Sequence, residues 1–289
     1  MSKLNRKFVA FTAFLAAGLG AHAASADYDR AHRLYEATNF EQSLEILQAM
    51  PKDPAVQALI GENYLMLSEY HKATDWLEKA VAAQPASAEY NLWLARAYGR
   101  RAETSNVLTA PGYASKAHRY FEKSVELDPQ NLDALNDLFD YYIEAPGFLG
   151  GGLDKAELLA KRMAAINPSD GYGAEAKLAL KRKDVGAAER NLRRAAAAAP
   201  KEIGQLITLA KLLSRQGRIQ EADKTIEAAE QIAPNSPSVM FAKADLYVKT
   251  NRNLDVARQL LKRYLESSLT PDDPPRSAAQ KLLRQANGV

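Results

Sequence analysis

The stretch EAPGFLGGGLDKAELLAKR, residues 144–162, sets three glycines ahead of a helix-forming run that carries Lys155. Glycines before a helix with a lysine suggest a phosphate cradle, because backbone N–H groups and a helix N-terminus attract anions. A P-loop, however, needs G-x-x-x-x-G-K-S/T between a strand and a helix. Here no strand precedes the glycines, no Ser or Thr follows Lys155, and Asp154 adds a charge that repels phosphate. The expectation is an inter-helix loop, with Pro146 stopping one helix and Asp154 an N-cap or first-turn acid of the next.

Other chemistry is sparse. The four histidines, His22, His32, His71 and His118, show no zinc-ligand spacing. There is no G-x-S-x-G elbow. With no cysteine, the chain has no thiolate nucleophile and no disulfide. Asp272-Asp273 is an acid pair in a proline-rich turn and reads as solvated. No acid–base constellation, metal site or cofactor site emerges, so the expectation is a protein that is not an enzyme.

The N-terminus joins Lys3, Arg6 and Lys7 to the apolar run FVAFTAFLAAGLG and then to AHAASA, the three-part layout of a secretory signal peptide. The apolar run is too short to span a bilayer. Residues 1–26 are read as a cleaved signal, which implies export, to a periplasm in preference to the medium, and no stable membrane insertion afterwards. The chain holds 38 basic and 35 acidic residues. Removing the three cations of the signal leaves 35 of each, a balance that does not call for nucleic acid.

Beyond residue 28, apolar residues recur at helical spacing, and prolines punctuate them. The phrase repeats: EKAVAAQP (78–85), EKSVELDP (122–129), KRMAAINP (161–168), RRAAAAAP (193–200) and EAAEQIAP (227–234). Small residues at Ala73, Ala117, Ala156, Ala188, Ala222 and Ala257 would let helices cross closely. Leu77, Phe121, Leu192, Ile226 and Leu261 would fill the gaps beside them. With a period near 34, the pattern resembles the tetratricopeptide repeat, a pair of antiparallel helices A and B. The resemblance implies an all-α, right-handed superhelical solenoid of about seven units over residues 27–270. A capping helix and tail would follow over 271–289. The fifth unit, taken from 171, is about two residues short. The first has Ser43 in the small position.

Units three and four carry insertions between helices A and B, around Ala110-Pro111-Gly112-Tyr113 and Ala145-Pro146-Gly147-Phe148. Two adjacent long turns with one phrase suggest a paired feature. Either Tyr113 and Phe148 tuck into neighbouring repeats, or they form a ledge that meets a partner. The resemblance also implies which helix-A residues line the concave groove: Arg96 and Arg100, Asn136 and Asp140, Lys211 and Arg215, and Asp245. Lys and Asn at matched positions, as in a carboxylate clamp, are absent; Trp93 and Asp137 stand there. The functional expectation is an exported scaffold that binds a protein or peptide in the groove. The rivals are a self-associating envelope component and a cell-wall-acting enzyme.

Overall fold

The 34-residue rhythm becomes a run of helix pairs. The computed structural model describes residues 25–288. The first pair is α1 (25–36) with α2 (Phe40–Ala49), followed by α3 (Pro54–Met66) with α4 (Tyr70–Ala83). Then come α5 (Ala88–Thr104) with α6 (Ala110–Leu127), and α7 (Leu132–Glu144) with α8 (Leu153–Ile166). The last three pairs are α9 (Pro168–Lys181) with α10 (Val185–Ala198), α11 (Gly204–Arg215) with α12 (Ile219–Ile232), and α13 (Pro237–Lys249) with α14 (Leu254–Glu266). A single helix, α15 (Arg276–Ala286), ends the array. Of the expected signal segment, residues 1–24 lie outside the described residues.

Helix-A starts are written locally. Asp53, Ser87, Asn131 and Ser236 each accept a hydrogen bond from the backbone N–H three residues on. This satisfies one of the orphan donors of the first turn. Pro54, Pro168 and Pro237 stand at the first helical position, where no N–H is needed. The A–B turns of units one, two, five, six and seven share another device. Besides a second at Asn253 in the seventh, each has a left-handed residue in the same place: Thr38, Ser68, Lys183, Gly217 or Asn251. The N–H that follows it reaches five residues back, as Glu69 N to Tyr64 O at 2.9 Å and Asp184 N to Ala179 O at 2.8 Å.

Each helix packs on its sequence neighbours, and helices α3 and α5, α7 and α9, and α11 and α13 also touch. The A helices therefore form an inner layer. All six crossing alanines are fully buried, and so are or nearly are the large partners Leu77, Phe121, Leu192, Ile226 and Leu261. Ser43 is equally buried in its small slot. Each large side chain sealed this way contributes on the order of 2 kcal/mol. α15 lays Ala279 and Leu282 against Met240, Leu261 and Tyr264 of the seventh unit.

Two expectations change. The fifth unit starts at Pro168, not 171. Asn167 alone separates α8 from α9, and its side chain accepts from Ser169 N at 2.9 Å. The shortened link pulls the helices so close that a Cβ on Gly171 would stand 2.3 Å from Ala164 Cβ. The insertion of unit three is mostly not a loop. α5 runs on to Thr104 and α6 starts at Ala110, so Tyr113 sits in a helical first turn, pre-shaped by Pro111. Only residues 105–109 are turn, held by Asn106 Oδ1 accepting from Leu108 N and Thr109 N.

Candidate partner-binding groove

From unit two to unit seven the inner layer carries one charged residue per unit in a common register: Glu62, Arg96, Asp140, Lys177, Lys211 and Asp245. Most answer a neighbour. Arg96 Nε donates to Asp137 Oδ2 at 2.5 Å, and its guanidinium lies 4.7 Å from the Trp93 ring centre. Lys177 Nζ donates to Asp140 at 2.7 Å, and one turn on Lys181 Nζ donates to Glu144 at 3.0 Å. Arg100 pairs with Glu103 and donates to Tyr70 Oη at 3.2 Å. Asn136 spends its Nδ2 on Leu132 O of its own helix, at 3.0 Å. Asp245 is buried and accepts from Lys249 at 2.7 Å. Arg215 is exposed.

Burial tunes several of these groups. It pushes the Lys211 ammonium below the usual lysine range, with Lys249 and Arg215 adding to the effect and Asp245 opposing it. It also lifts the Asp137 carboxyl, against the pull of Arg96 and with help from Asp140 and Asp133. Glu62 is affected most. It is only 8 % exposed, and burial, then Glu89, push its carboxyl up to about 8 while Arg96 pulls it down. The Tyr35 hydroxyl faces it, buried and without a well-formed partner of its own.

Over units one to four the groove becomes a cavity of about 1060 Å³. Its walls include Tyr70, Trp93, Arg96, Arg100, Asp140 and Tyr141, so the candidate residues of units three and four other than Asn136 meet in one space. Lys211, Arg215 and Asp245 lie elsewhere along the inner layer. The far wall is the segment Leu269–Ser277, which crosses from the last unit to the first. Arg276 Nη1 donates to Thr38 Oγ1 at 2.7 Å. Asp273, expected to be solvated, is half-buried and shapes this strap by accepting from Ser238 Oγ at 2.7 Å and from Thr270 N and Oγ1 at 3.1 Å.

The glycine run is a fitted loop. Gly147–Leu149 makes a single 3-10 turn and Gly150 follows in the left-handed conformation. The backbone N–H groups of Leu149, Gly150, Gly151 and Gly152 all donate to backbone carbonyls. Those four loop donors are therefore not available to a phosphate. Lys155 Nζ is used in the loop as well, donating to Gly150 O at 2.9 Å. Asp154 is a first-turn acid; the N-cap is Gly152. A Cβ on Gly151 would stand 1.8 Å from Ala145 O.

The proposed pair of aromatics splits. Tyr113 stacks on Tyr98 at 6.0 Å beneath the Arg101 guanidinium, so it packs. Phe148 is 83 % exposed and does not tuck into a neighbour. Two inner-layer residues were missed in the sequence. Lys177 fell in the unit whose start was misplaced, and Glu62 in a unit read for its core pattern alone. The period of 34 that relates Glu62 to Arg96 could have found the first of the column.

Among the described residues no group of three His, Asp or Glu side chains could hold a metal ion, and no helix is long and apolar enough to cross a membrane. Residues 179–239 match a tetratricopeptide repeat family model. No curated protein matches the sequence. Among solved structures, a tetratricopeptide repeat protein from Parabacteroides merdae is 15 % identical and superposes with a TM-score of 0.57, over 92 % of this chain and 99 % of that one. A thermophilic protein of the same repeat class from Thermus thermophilus is 20 % identical with a TM-score of 0.55, over 66 % of this chain and 98 % of that one. The chain thus carries tetratricopeptide repeat sequence over residues 179–239 and shares the stacked-pair fold of tetratricopeptide repeat proteins along its described length.

Proposed function

We propose that the protein is an exported, periplasmic scaffold that holds an extended segment of a partner protein in its inner groove, and that it catalyses no reaction. The carrying observation is the cavity of about 1060 Å³ on the concave face of units one to four. Its volume lies just above the roughly 300–1,000 Å³ of ordinary ligand pockets. That admits a short extended stretch or a loop tip and not a folded domain. Extended concave surfaces are what stacked repeats offer a partner. Export rests on the signal-like segment 1–26.

The test is photocrosslinking in cells, with a photoreactive residue at Arg96 and at Asp140 and a control at Lys224, exposed on helix α12. One dominant adduct from the groove positions alone supports the reading. Adducts equal to the control, or none, overturn it. Self-association is the second reading. It is favoured by Val107, Leu108 and Phe148, each more than 80 % exposed at the ends of adjacent units, and adducts to the chain itself would select it.

A further inference from the structure

We infer that the cavity is built for a cationic occupant: an extended partner segment bearing lysine or arginine side chains. The inference rests on the groove being the peptide site, and it names the chemistry of the peptide. The first argument is the charge left over after internal pairing. Around the cavity Arg96 is answered by Asp137, Arg100 by Glu103, and Asp140 and Glu144 by Lys177 and Lys181 of the next unit. Among the described residues, three lining carboxylates have no cation within 4 Å: Glu41, Asp272 and Asp273. One lining guanidinium, Arg276, has no carboxylate. Arg276 is spent on neutral oxygens, Thr38 Oγ1 and Ser267 O. Asp273 accepts only from neutral donors, so its charge is undiminished.

An anionic segment would have to displace Asp137 from Arg96 or Glu103 from Arg100. A cationic one meets carboxylates already waiting, and charge complementarity of this kind sets specificity and register. Second, the chain itself shows how the walls receive a guanidinium: Arg96 over Trp93 at 4.7 Å and Arg100 over Tyr70 at 5.5 Å. Phe40 and Phe121 add two further aromatic side chains to the lining. Third, Glu62 stands one turn before the wall residues Leu65 and Met66. It is more than nine-tenths buried, faces the Tyr35 hydroxyl, and has no cation within 4 Å among the described residues. A buried carboxylate without a cation is costly unless something pairs with it. Burial lifts the Asp137 and Glu62 carboxyls, with neighbouring carboxylates adding to the effect, and a bound cation nearby would oppose that lift.

The experiment is fluorescence anisotropy on the purified full chain with three labelled octapeptides that differ only in bearing three lysines, three glutamines or three glutamates. Net charge is +3 with segment 1–26 and balanced, 35 of each sign, without it, so in neither form does it favour the lysine peptide, and a preference for lysine reports the cavity. The expected result is at least tenfold tighter binding of the lysine peptide than of the glutamine one, weakest binding of the glutamate one, and weakening with salt. The double variant Glu41→Gln with Asp272→Asn should lose most of that preference at an unchanged melting temperature, since both side chains are exposed and unpaired. Equal or tighter binding of the glutamine or glutamate peptide overturns the cationic inference and leaves the groove reading standing. So does groove-specific crosslinking combined with no binding of the lysine peptide. Failure of both the peptides and the crosslinks overturns the groove reading itself.

Discussion

Arg276, the first residue of the last helix, donates to the Thr38 hydroxyl in the first A–B turn, 238 positions away. Thr38 is one of the left-handed residues on which those turns are built, with φ +59°. In a simple solenoid each unit touches only its neighbours. Here one contact brings the last element back to the first and turns an open groove into a walled cavity.

Breaking that contact should loosen the strap without melting the array. Arg276→Gln removes the charged donor, and a charged hydrogen bond contributes about 1.5–3 kcal/mol where it acts. Hydrogen exchange is expected to rise in residues 269–277 and around Thr38, with the melting temperature of the central units unchanged. Unaltered exchange in both segments would refute the latch.

The inter-unit ion pairs should matter little to stability. Asp140 and Lys177 are each about half exposed, so their pairing is screened. A double-mutant cycle with Asp140→Asn and Lys177→Met is expected to give a coupling of about 0.2–1 kcal/mol. Ile226→Ala in the same array, at a fully buried site, should cost about 2–5 kcal/mol. Denaturant melts of both sets check the contrast.

Glu62 makes stability depend on pH in a stated direction. Its folded value, pushed up to about 8, lies above the ordinary 4.5, so the folded state holds the proton more tightly than the unfolded chain does. Stability from this group is present below pH 4.5 and is lost as pH rises toward about 8. The Tyr35, Glu36, Glu89 and Arg96 side chains surround it, and Tyr35 is itself lifted above the ordinary tyrosine value. Glu62→Gln should flatten the pH profile between 5 and 8 and stabilise the protein at pH 9, by an amount on the order of a few kcal/mol. A variant with the wild-type slope would exclude Glu62 as its source.

The two close backbone approaches should tolerate no side chain. Gly151→Ala places a Cβ against the Ala145 carbonyl, and Gly171→Val drives one into Ala164. Each is expected to cost more than about 2 kcal/mol, the scale of a core overpacking. Phe148→Ser, at an exposed site, should stay within about 0.5 kcal/mol of wild type. Equal effects at Gly151 and Phe148 in thermal melts would mean that the loop is not fitted as described.

How much of this was legible depends on whether the signal is local. The alanines and their large partners sit four residues apart on one helix face, and Asp53, Ser87, Asn131 and Ser236 cap from within their own turn. Those relations span a few residues, so sequence by itself determined the helix pairs, their repeat and their core. The A–B turns of units one, two, five, six and seven were less legible, because five of their six left-handed positions hold Thr, Ser, Lys or Asn and not glycine. A tight 6→1 turn imposes that conformation whatever the residue. Tyr113 and Phe148 share a local phrase and end in opposite environments, since helix extension absorbed one insertion and a glycine loop the other. Only the tertiary structure decided the cavity. Whether the last strap meets the first turn depends on the small rotation added at every unit, a sum over the whole array that no local pattern carries.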